Sequence, residues 1–134
     1  MEYEASASSE LTELFEKVVS EHSELSWIKE ADIRVGVLES SKAKVSGKKA
    51  VLGECKKVDY IYKAFCPYDF LIIIYAPNCI GLTDEQMEIL MFHECLHIGM
   101  NDKNGEPVYV INPHDVEEFD LVIEKYGVHW EARR

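Results

Sequence analysis

Residues 83–99 constrain the fold of the chain most, because they have the features of a helix with both ends marked. The segment opens with a capping box: the Thr83 hydroxyl can accept the amide N–H of Gln86, and the Gln86 side chain can return to Thr83. Gly99 is a natural left-handed stop at the other end. Apolar residues recur between these ends at helical spacing, at Met87, Leu90, Met91, Leu96 and Ile98. The segment therefore predicts a helix of about four turns.

This helix carries the pattern H-E-x-x-H in His93-Glu94-Cys95-Leu96-His97. Four residues advance a helix by about 6 Å and slightly more than one turn, so His93 and His97 share one face. Two neutral imidazoles placed in this way can bind one metal ion, and zinc is the expected one. The Glu94 carboxylate can reach a water at an open coordination position and serve as general base. The alternative is two ordinary helix histidines with a glutamate beside them.

A catalytic zinc site needs a third protein ligand, and His114 is the best candidate. It is the only histidine between Gly99 and the end of the last predicted helix, and Pro113 would hold it rigidly. Competing oxygen ligands are Asp102, Asp115, Glu117 and Glu118. His114 as a solvent-facing residue at a helix N-terminus is the alternative.

Two further roles around a zinc site have candidates but no clear choice. Asp115 or Glu118 could accept an imidazole N–H from a histidine ligand. An oxyanion formed during hydrolysis needs a second donor besides the metal. The candidates for that donor are Tyr109, Tyr126 and His129, each of which could equally be a packing or tail residue.

The charge balance argues against partners that are bound through phosphate groups. The chain has 134 residues with 25 acidic and 14 basic side chains, and its formal net charge is −11. Such a charge repels nucleic acids and anionic membranes. Four lysines cluster between residues 42 and 49, but without interleaved aromatic residues they indicate a solvated hairpin tip.

Length and patterning predict one domain over residues 9–134, preceded by a flexible tail over residues 1–8. The acidic, polar N-terminus is unlike a signal peptide, and no apolar run approaches the length of a membrane span, so we expect a cytoplasmic protein. The four cysteines show no C-x-x-C spacing and are interpreted as buried thiols.

The remaining patterns predict an α+β fold. A first helix begins at Ser9 as N-cap, and His22 at the end of its apolar stripe is interpreted as a structural helix-end residue. Strands are expected over residues 32–39 and 50–58, and the apolar run 69–76 predicts a strand covered on both faces. Asn104-Gly105 predicts a turn before a short extended segment over residues 108–111. A last helix opens at Asn112 as N-cap. We expect a three- to four-stranded mixed or antiparallel sheet packed on the H-E-x-x-H helix, flanked by N- and C-terminal helices. The sheet edge could accept an extended peptide as an added strand.

Several segments together resemble the phage metallopeptidase family, a group of small zincin-like proteins of phages and prophages. The similar segments cover about residues 30 to 126. They are Val51–Val58, Asp69–Ile73, Leu82–Gln86 leading into His93–His97, and Asn112–Phe119. The resemblance implies a minimal zincin-like domain with zinc on His93, His97 and His114 and with Glu94 as general base, and a location in the host cytoplasm if the protein is phage-encoded. It does not supply the substrate; a peptide or protein substrate is expected from the chemistry of the site.

Other H-E-x-x-H classes fit less well. The metzincin continuation would need glycine at Met100 and histidine at Lys103, which excludes that class. We therefore expect zinc-assisted hydrolysis of peptide or amide bonds. A non-catalytic, zinc-stabilised protein-interaction module and a metal-dependent endoribonuclease remain as alternatives.

Overall fold

The computed structural model describes residues 2–113, so the predicted C-terminal helix, with His114, Asp115, Tyr126 and His129, lies outside the described residues. Helices and strands alternate irregularly, which makes the fold mixed α+β. The elements are β1 (Ala5–Ala7), α1 (Ser9–Glu21), α2 (Ser26–Glu30), β2 (Val35–Ser40), β3 (Val45–Ser46), β4 (Lys49–Ala50), β5 (Gly53–Lys57), β6 (Phe70–Tyr75), α3 (Ala76–Cys79), α4 (Asp84–Leu96), β7 (Ile98–Lys103) and β8 (Glu106–Ile111). A 3₁₀ turn (Ser23–Leu25) precedes α2, and a 3₁₀ helix (Tyr60–Ala64) follows β5.

The main sheet has four strands in the order β1-β2-β6-β5. The sheet is mixed, because β6 is parallel to β2 on one side and antiparallel to β5 on the other. The β3–β4 and β7–β8 pairs form two further two-stranded sheets. The expected three- to four-stranded mixed sheet is therefore present.

The apolar run 69–76 forms the central strand β6, as predicted, but only one of its faces is fully covered. Phe70, Ile72 and Ile74 are buried and join the hydrophobic core with residues of α1 and α4. Leu71 and Ile73 point to the other face and are only partly buried. The expectation of a strand covered on both faces is wrong, because the helical core residues pack on one side of the sheet.

The expected flexible tail is wrong for residues 5–7, which form β1. This strand pairs antiparallel with the edge of β2, from Ala5 opposite Ser40 to Ala7 opposite Leu38. The α1 helix begins one residue earlier than predicted, since the Ser8 side chain accepts the Leu11 N–H at 3.1 Å. Main-chain pairing holds this exposed segment, and such pairing leaves no apolar pattern in the sequence.

The two small hairpins differ in how well they were anticipated. The lysine-rich segment contains the β3–β4 hairpin, in which Gly47 adopts a positive φ of 63°, in agreement with the predicted hairpin tip. The turn of the β7–β8 hairpin lies at Asn104 and Gly105, with φ values of 55° and 82°, where the sequence predicts it. Strand β7 itself was not predicted. No helix within residues 2–113 combines the length and the apolar character needed to cross a membrane.

Candidate metal centre

The N-terminal end of α4 is closed by the predicted capping box. The Gln86 N–H donates to the Thr83 hydroxyl at 3.1 Å, and the Thr83 N–H donates to the Gln86 side-chain oxygen at 2.8 Å. Asp84 and Glu85 occupy the first turn, where negative charge is favourable. These local contacts set where the helix begins, and the helix in turn sets the spacing of His93 and His97.

The two predicted histidine ligands lie side by side at the other end of α4. His93 is in the last turn, and His97 is the C-cap residue with φ −73° and ψ −21°. Their ring centroids are 5.2 Å apart and the ring planes meet at 72°. Both side chains are partly buried. The structure therefore brings together the two imidazoles that the i, i+4 spacing predicts.

Glu94 is buried between α4 and the start of β5. Its exposed fraction is 3%, and its Oε2 atom lies 4.0 Å from His93 Nε2. On the other side, the same oxygen lies 3.3 Å from the position that a Cβ atom would take on Gly53. The absence of a side chain at Gly53 lets β5 approach the carboxylate this closely.

The C-terminal end of α4 is not closed in the predicted way. The helix ends at Leu96, and the chain passes through His97 directly into β7, which contains Gly99. The expectation of Gly99 as a left-handed stop is therefore wrong. Asn112, which follows β8, occupies the space beside this glycine: a Cβ on Gly99 would lie 2.4 Å from the Asn112 side-chain oxygen.

Asn112 makes the contacts that close this end of the helix. Its side-chain amide donates to the carbonyls of Leu96 and Ile98, each at 3.2 Å. Its backbone N–H donates to the His97 carbonyl at 2.7 Å. Sequence reasoning assigned Asn112 only as an N-cap and missed these contacts, because no local pattern connects it to His97.

The Asn112 carbonyl lies 2.6 Å from His97 Nδ1. A carbonyl oxygen can only accept a hydrogen bond, so Nδ1 is the nitrogen that carries the proton. The neutral ring then has its lone pair on Nε2. This arrangement leaves Nε2 available to bind a metal ion, and it supports the fit of zinc to the site.

The model of the family described as "Putative phage metallopeptidase" matches residues 2–133. The chain belongs to this family. The match confirms the resemblance noted in the sequence and extends it over nearly the whole chain. The name of the phage metallopeptidase family points to a peptidase that uses a metal ion. No curated protein and no solved structure matches the chain.

For a phage metallopeptidase, the described part of the chain contains an incomplete ligand set. Within residues 2–113, no group of three histidine, cysteine or acidic side chains is placed to hold a metal ion. Asp102, a competing candidate, is exposed near the tip of the β7–β8 hairpin and pairs with Pro107, away from His97. His114 and Asp115 lie outside the described residues.

Two other side chains considered from the sequence have clear surroundings. Tyr109 of β8 is partly buried and packs its ring against Phe70, with centroids 5.7 Å apart, which supports a packing role. His22 is the C-cap residue of α1, and its ring centroid lies 4.4 Å from that of Phe92. This position at a helix end agrees with the interpretation of His22 as a structural residue.

The cysteines near the site are in environments that disfavour thiolates. Cys95 is buried in the core and Cys55 is partly buried on β5. Burial raises the pKa of both thiols, and the nearby Glu94 carboxylate raises it further. In the metal-free protein both thiols are therefore protonated at neutral pH, and a protonated thiol is a poor zinc ligand. The prediction of buried thiols is confirmed for Cys79 and Cys95, whereas Cys55 and Cys66 are partly buried.

Proposed function

We propose that this protein is a zinc-dependent peptidase in which His93, His97 and His114 bind zinc and Glu94 is the general base. The observation that carries the proposal is the arrangement around Glu94. Its buried carboxylate lies 4.0 Å from His93 Nε2 and beside Gly53 at the start of the edge strand β5, and the His93 ring neighbours that of His97.

His114 is supported as the third ligand because it follows Asn112, which contacts His97, by only two residues along the chain. The backbone of Asn112 contacts His97 through two hydrogen bonds. Two residues of chain span at most about 7 Å, so His114 begins within reach of the two described imidazoles. A bound zinc ion would lower the pKa of water toward about 7 and polarise a scissile carbonyl.

In the proposed reaction, Glu94 moves the proton. In the hydrolysis of an amide, the carboxylate accepts a proton from the attacking water and donates it to the leaving nitrogen. Its position between α4 and β5 keeps the group away from bulk solvent, which strengthens its interaction with nearby charge. The histidines remain neutral ligands throughout.

The edge strand β5 is the proposed binding surface for a peptide. Tyr75 N–H donates to the Leu52 carbonyl and Val58 N–H donates to the Asp69 carbonyl. Because hydrogen-bonding direction alternates along an antiparallel pair, Gly53, Cys55 and Lys57 turn their N–H and C=O groups away from β6. Among residues 2–113 no other strand pairs with this edge. An extended peptide could add there, with its backbone passing Glu94 at Gly53.

The ligand assignment is tested by the zinc content of purified protein, measured by mass spectrometry. We expect one zinc per wild-type chain, a loss of zinc in His97→Ala and His114→Ala, and retention in Glu94→Gln. His22→Ala is the matched control, because this histidine contacts Phe92 and should not affect zinc content. Unchanged zinc in His97→Ala would contradict the assignment.

The catalytic assignment is tested on a pool of peptides from a digested proteome, with new N-termini identified by mass spectrometry. We expect the zinc-loaded wild type to cleave a subset of the pool and Glu94→Gln to lose at least about 100-fold in rate. Glu88→Gln on the same helix is the control, since Glu88 pairs with Lys17 at the surface. Wild-type rates in Glu94→Gln would contradict the role of Glu94.

A non-catalytic, zinc-stabilised interaction module is the second candidate, and one surface favours it. The 3₁₀ helix after β5 and the residue that follows it expose four large apolar side chains, with exposed fractions from 57% to 96%: Tyr60, Ile61, Tyr62 and Phe65. Exposed apolar clusters of this kind are typical of binding sites. One zinc per chain without cleavage of any peptide in the pool would favour this candidate.

A further inference from the structure

We propose that Asn112 is a positioning residue that orients the imidazole of His97 and thereby sets the zinc affinity of the site. The inference rests on the proposed role of His97 as a zinc ligand and assigns the group that holds this ligand in place. Asn112 is separated from His97 by the whole β7–β8 hairpin. It reaches the histidine because the hairpin returns the chain to the end of α4.

Three polar groups of Asn112, the side-chain N–H₂, the backbone N–H and the backbone carbonyl, are bonded to the three residues centred on His97. The side-chain amide donates to the carbonyls of Leu96 and Ile98 at 3.2 Å. The backbone N–H donates to the His97 carbonyl at 2.7 Å, and the backbone carbonyl accepts the His97 Nδ1 proton at 2.6 Å. The main chain is therefore held before, at and after the ligand residue.

These contacts act on two different degrees of freedom of His97. The amide contacts to Leu96 and Ile98 fix the main chain on both sides, which sets the direction of the Cα–Cβ bond. The Nδ1 contact fixes the rotation of the ring about the Cβ–Cγ bond. It also selects the tautomer with the lone pair on Nε2. Held in both ways, the ligand loses little conformational freedom when it binds a metal ion.

Asn112 supplies a hydrogen-bond donor to the C-terminal end of α4. The last carbonyls of a helix have no partner within the helix, and a left-handed glycine is the common solution. Here Gly99 lies within β7 and does not cap the helix, so a donor to these carbonyls must come from another part of the chain. Gly99 leaves the room for that donor, because a Cβ atom there would lie 2.4 to 2.8 Å from the Asn112 side chain.

The first test compares zinc affinity in two asparagine variants, measured by competition with a chromophoric chelator. Asn112→Ala removes the amide that bridges two carbonyls beside His97. We expect zinc binding about 10- to 100-fold weaker than in the wild type, the usual cost of losing a group that orients a ligand. A value within about twofold of the wild type, with the fold intact, would overturn the proposal.

Asn78→Ala is the matched control for this variant. The Asn78 amide also bridges two backbone carbonyls, those of Lys44 and Val51, each at 2.9 Å. Both variants lose the same kind and number of side-chain hydrogen bonds, so both should unfold more easily than the wild type. Only Asn112→Ala should weaken zinc binding. Equal weakening in the two variants would assign the effect to general stability and overturn the positioning role.

The second test reads the imidazole directly by ¹⁵N NMR of the metal-free protein. We expect neutral His97 to carry its proton on Nδ1 in the wild type. In Asn112→Ala we expect a mixture of tautomers, because the backbone carbonyl of residue 112 is no longer anchored against the ring by the side-chain amide. A wild-type ring with its proton mainly on Nε2 would overturn the proposal even if Asn112→Ala failed to fold.

The two sets of experiments separate this inference from the proposed function. A wild-type protein that takes up no zinc contradicts the proposed function, while the tautomer of His97 still tests its contact with Asn112. Zinc that is lost in His97→Ala but bound normally by Asn112→Ala contradicts the positioning role alone.

Discussion

The two ends of α4 are closed by different means. At the N-terminal end, Thr83 and Gln86 are three residues apart and cap each other. At the C-terminal end, the Leu96 carbonyl is bonded by Asn112, which is 16 residues further along the chain. The first closure can form as soon as one helical turn forms. The second exists only after a hairpin has folded back, and it is the end that carries the proposed metal ligands.

The register of the β7–β8 hairpin decides which residue reaches His97. Ile98 is opposite Ile111, so the next residue along, Asn112, is opposite His97. A register shift by one residue would place a different side chain beside the histidine and would exchange the two faces of the strand. The left-handed turn at Asn104 and Gly105 therefore influences the site from the far end of the hairpin.

Among the variants that test the difference between the two ends of α4, Gly99→Ala should have the largest effect on stability. Its Cβ would clash with the Asn112 side chain at the C-terminal end of α4. Overpacking of this kind costs about 1–3 kcal/mol in the free energy of unfolding, measured by urea denaturation of the metal-free protein. We expect zinc binding to weaken as well. A loss below about 0.5 kcal/mol would indicate that the amide moves aside easily.

Gly105→Ala tests the hairpin that delivers Asn112. Gly105 has φ 82° and no atom within 4 Å of the position of a Cβ, so the cost should be conformational alone. We expect a loss of about 1–2 kcal/mol in the free energy of unfolding. Gly105→Asn is the control, since asparagine tolerates left-handed conformations better than alanine. Equal losses in both variants would contradict this explanation.

Thr83→Ala tests the N-terminal end of α4, which is closed by residues close together in the sequence. Removing an N-cap side chain costs about 1 kcal/mol in the free energy of unfolding. Zinc affinity should remain at its wild-type value, because Thr83 is at the opposite end of α4 from the histidines. Thr83→Ser should restore the stability. If Thr83→Ala weakened zinc binding as much as Asn112→Ala, the two ends would not act independently.

Glu54→Gln should have the smallest effect and tests a long-range contact of β5 that involves none of the proposed metal ligands. Burial tends to raise the pKa of Glu54, but hydrogen bonds from Lys44 and Tyr75 outweigh it and lower the pKa below its usual 4.5. A lowered pKa in the folded state means that the carboxylate stabilises the protein above pH 4.5 and loses this effect as the pH falls through the folded-state pKa.

The difference in unfolding free energy between wild type and Glu54→Gln should therefore shrink as the pH is lowered below 4.5. Urea denaturation at a series of pH values measures it. Because the Glu54 side chain is 24% exposed, solvent screens the contact and the difference should stay small. A difference that grows toward acidic pH would contradict the direction of the pKa shift.

Features that depend on neighbours along the chain were predictable. The capping box at Thr83, the apolar strand β6 and the turn at Asn104 and Gly105 are all present as expected. The i, i+4 spacing also placed His93 beside His97 correctly, because one helical turn relates them. In each case the interaction involves residues only a few positions apart.

Features that depend on distant pairing were missed or mistaken. Strand β1 was expected to be a tail, and Gly99 was expected to be a helix stop. The approach of Gly53 to Glu94 and the contact of Asn112 with His97 left no local signal. Main-chain pairing uses groups that every residue has, so composition and periodicity do not reveal which segments will pair.

The sequence by itself determined the chemistry available to this protein: two histidines and a glutamate on one capped helix, in a chain that belongs to the phage metallopeptidase family. Only the tertiary structure decided how those groups are held, with Glu94 buried against the edge strand and His97 bonded to Asn112. The reason is that helical spacing follows from local geometry, whereas strand register and close packing are settled when distant segments come together.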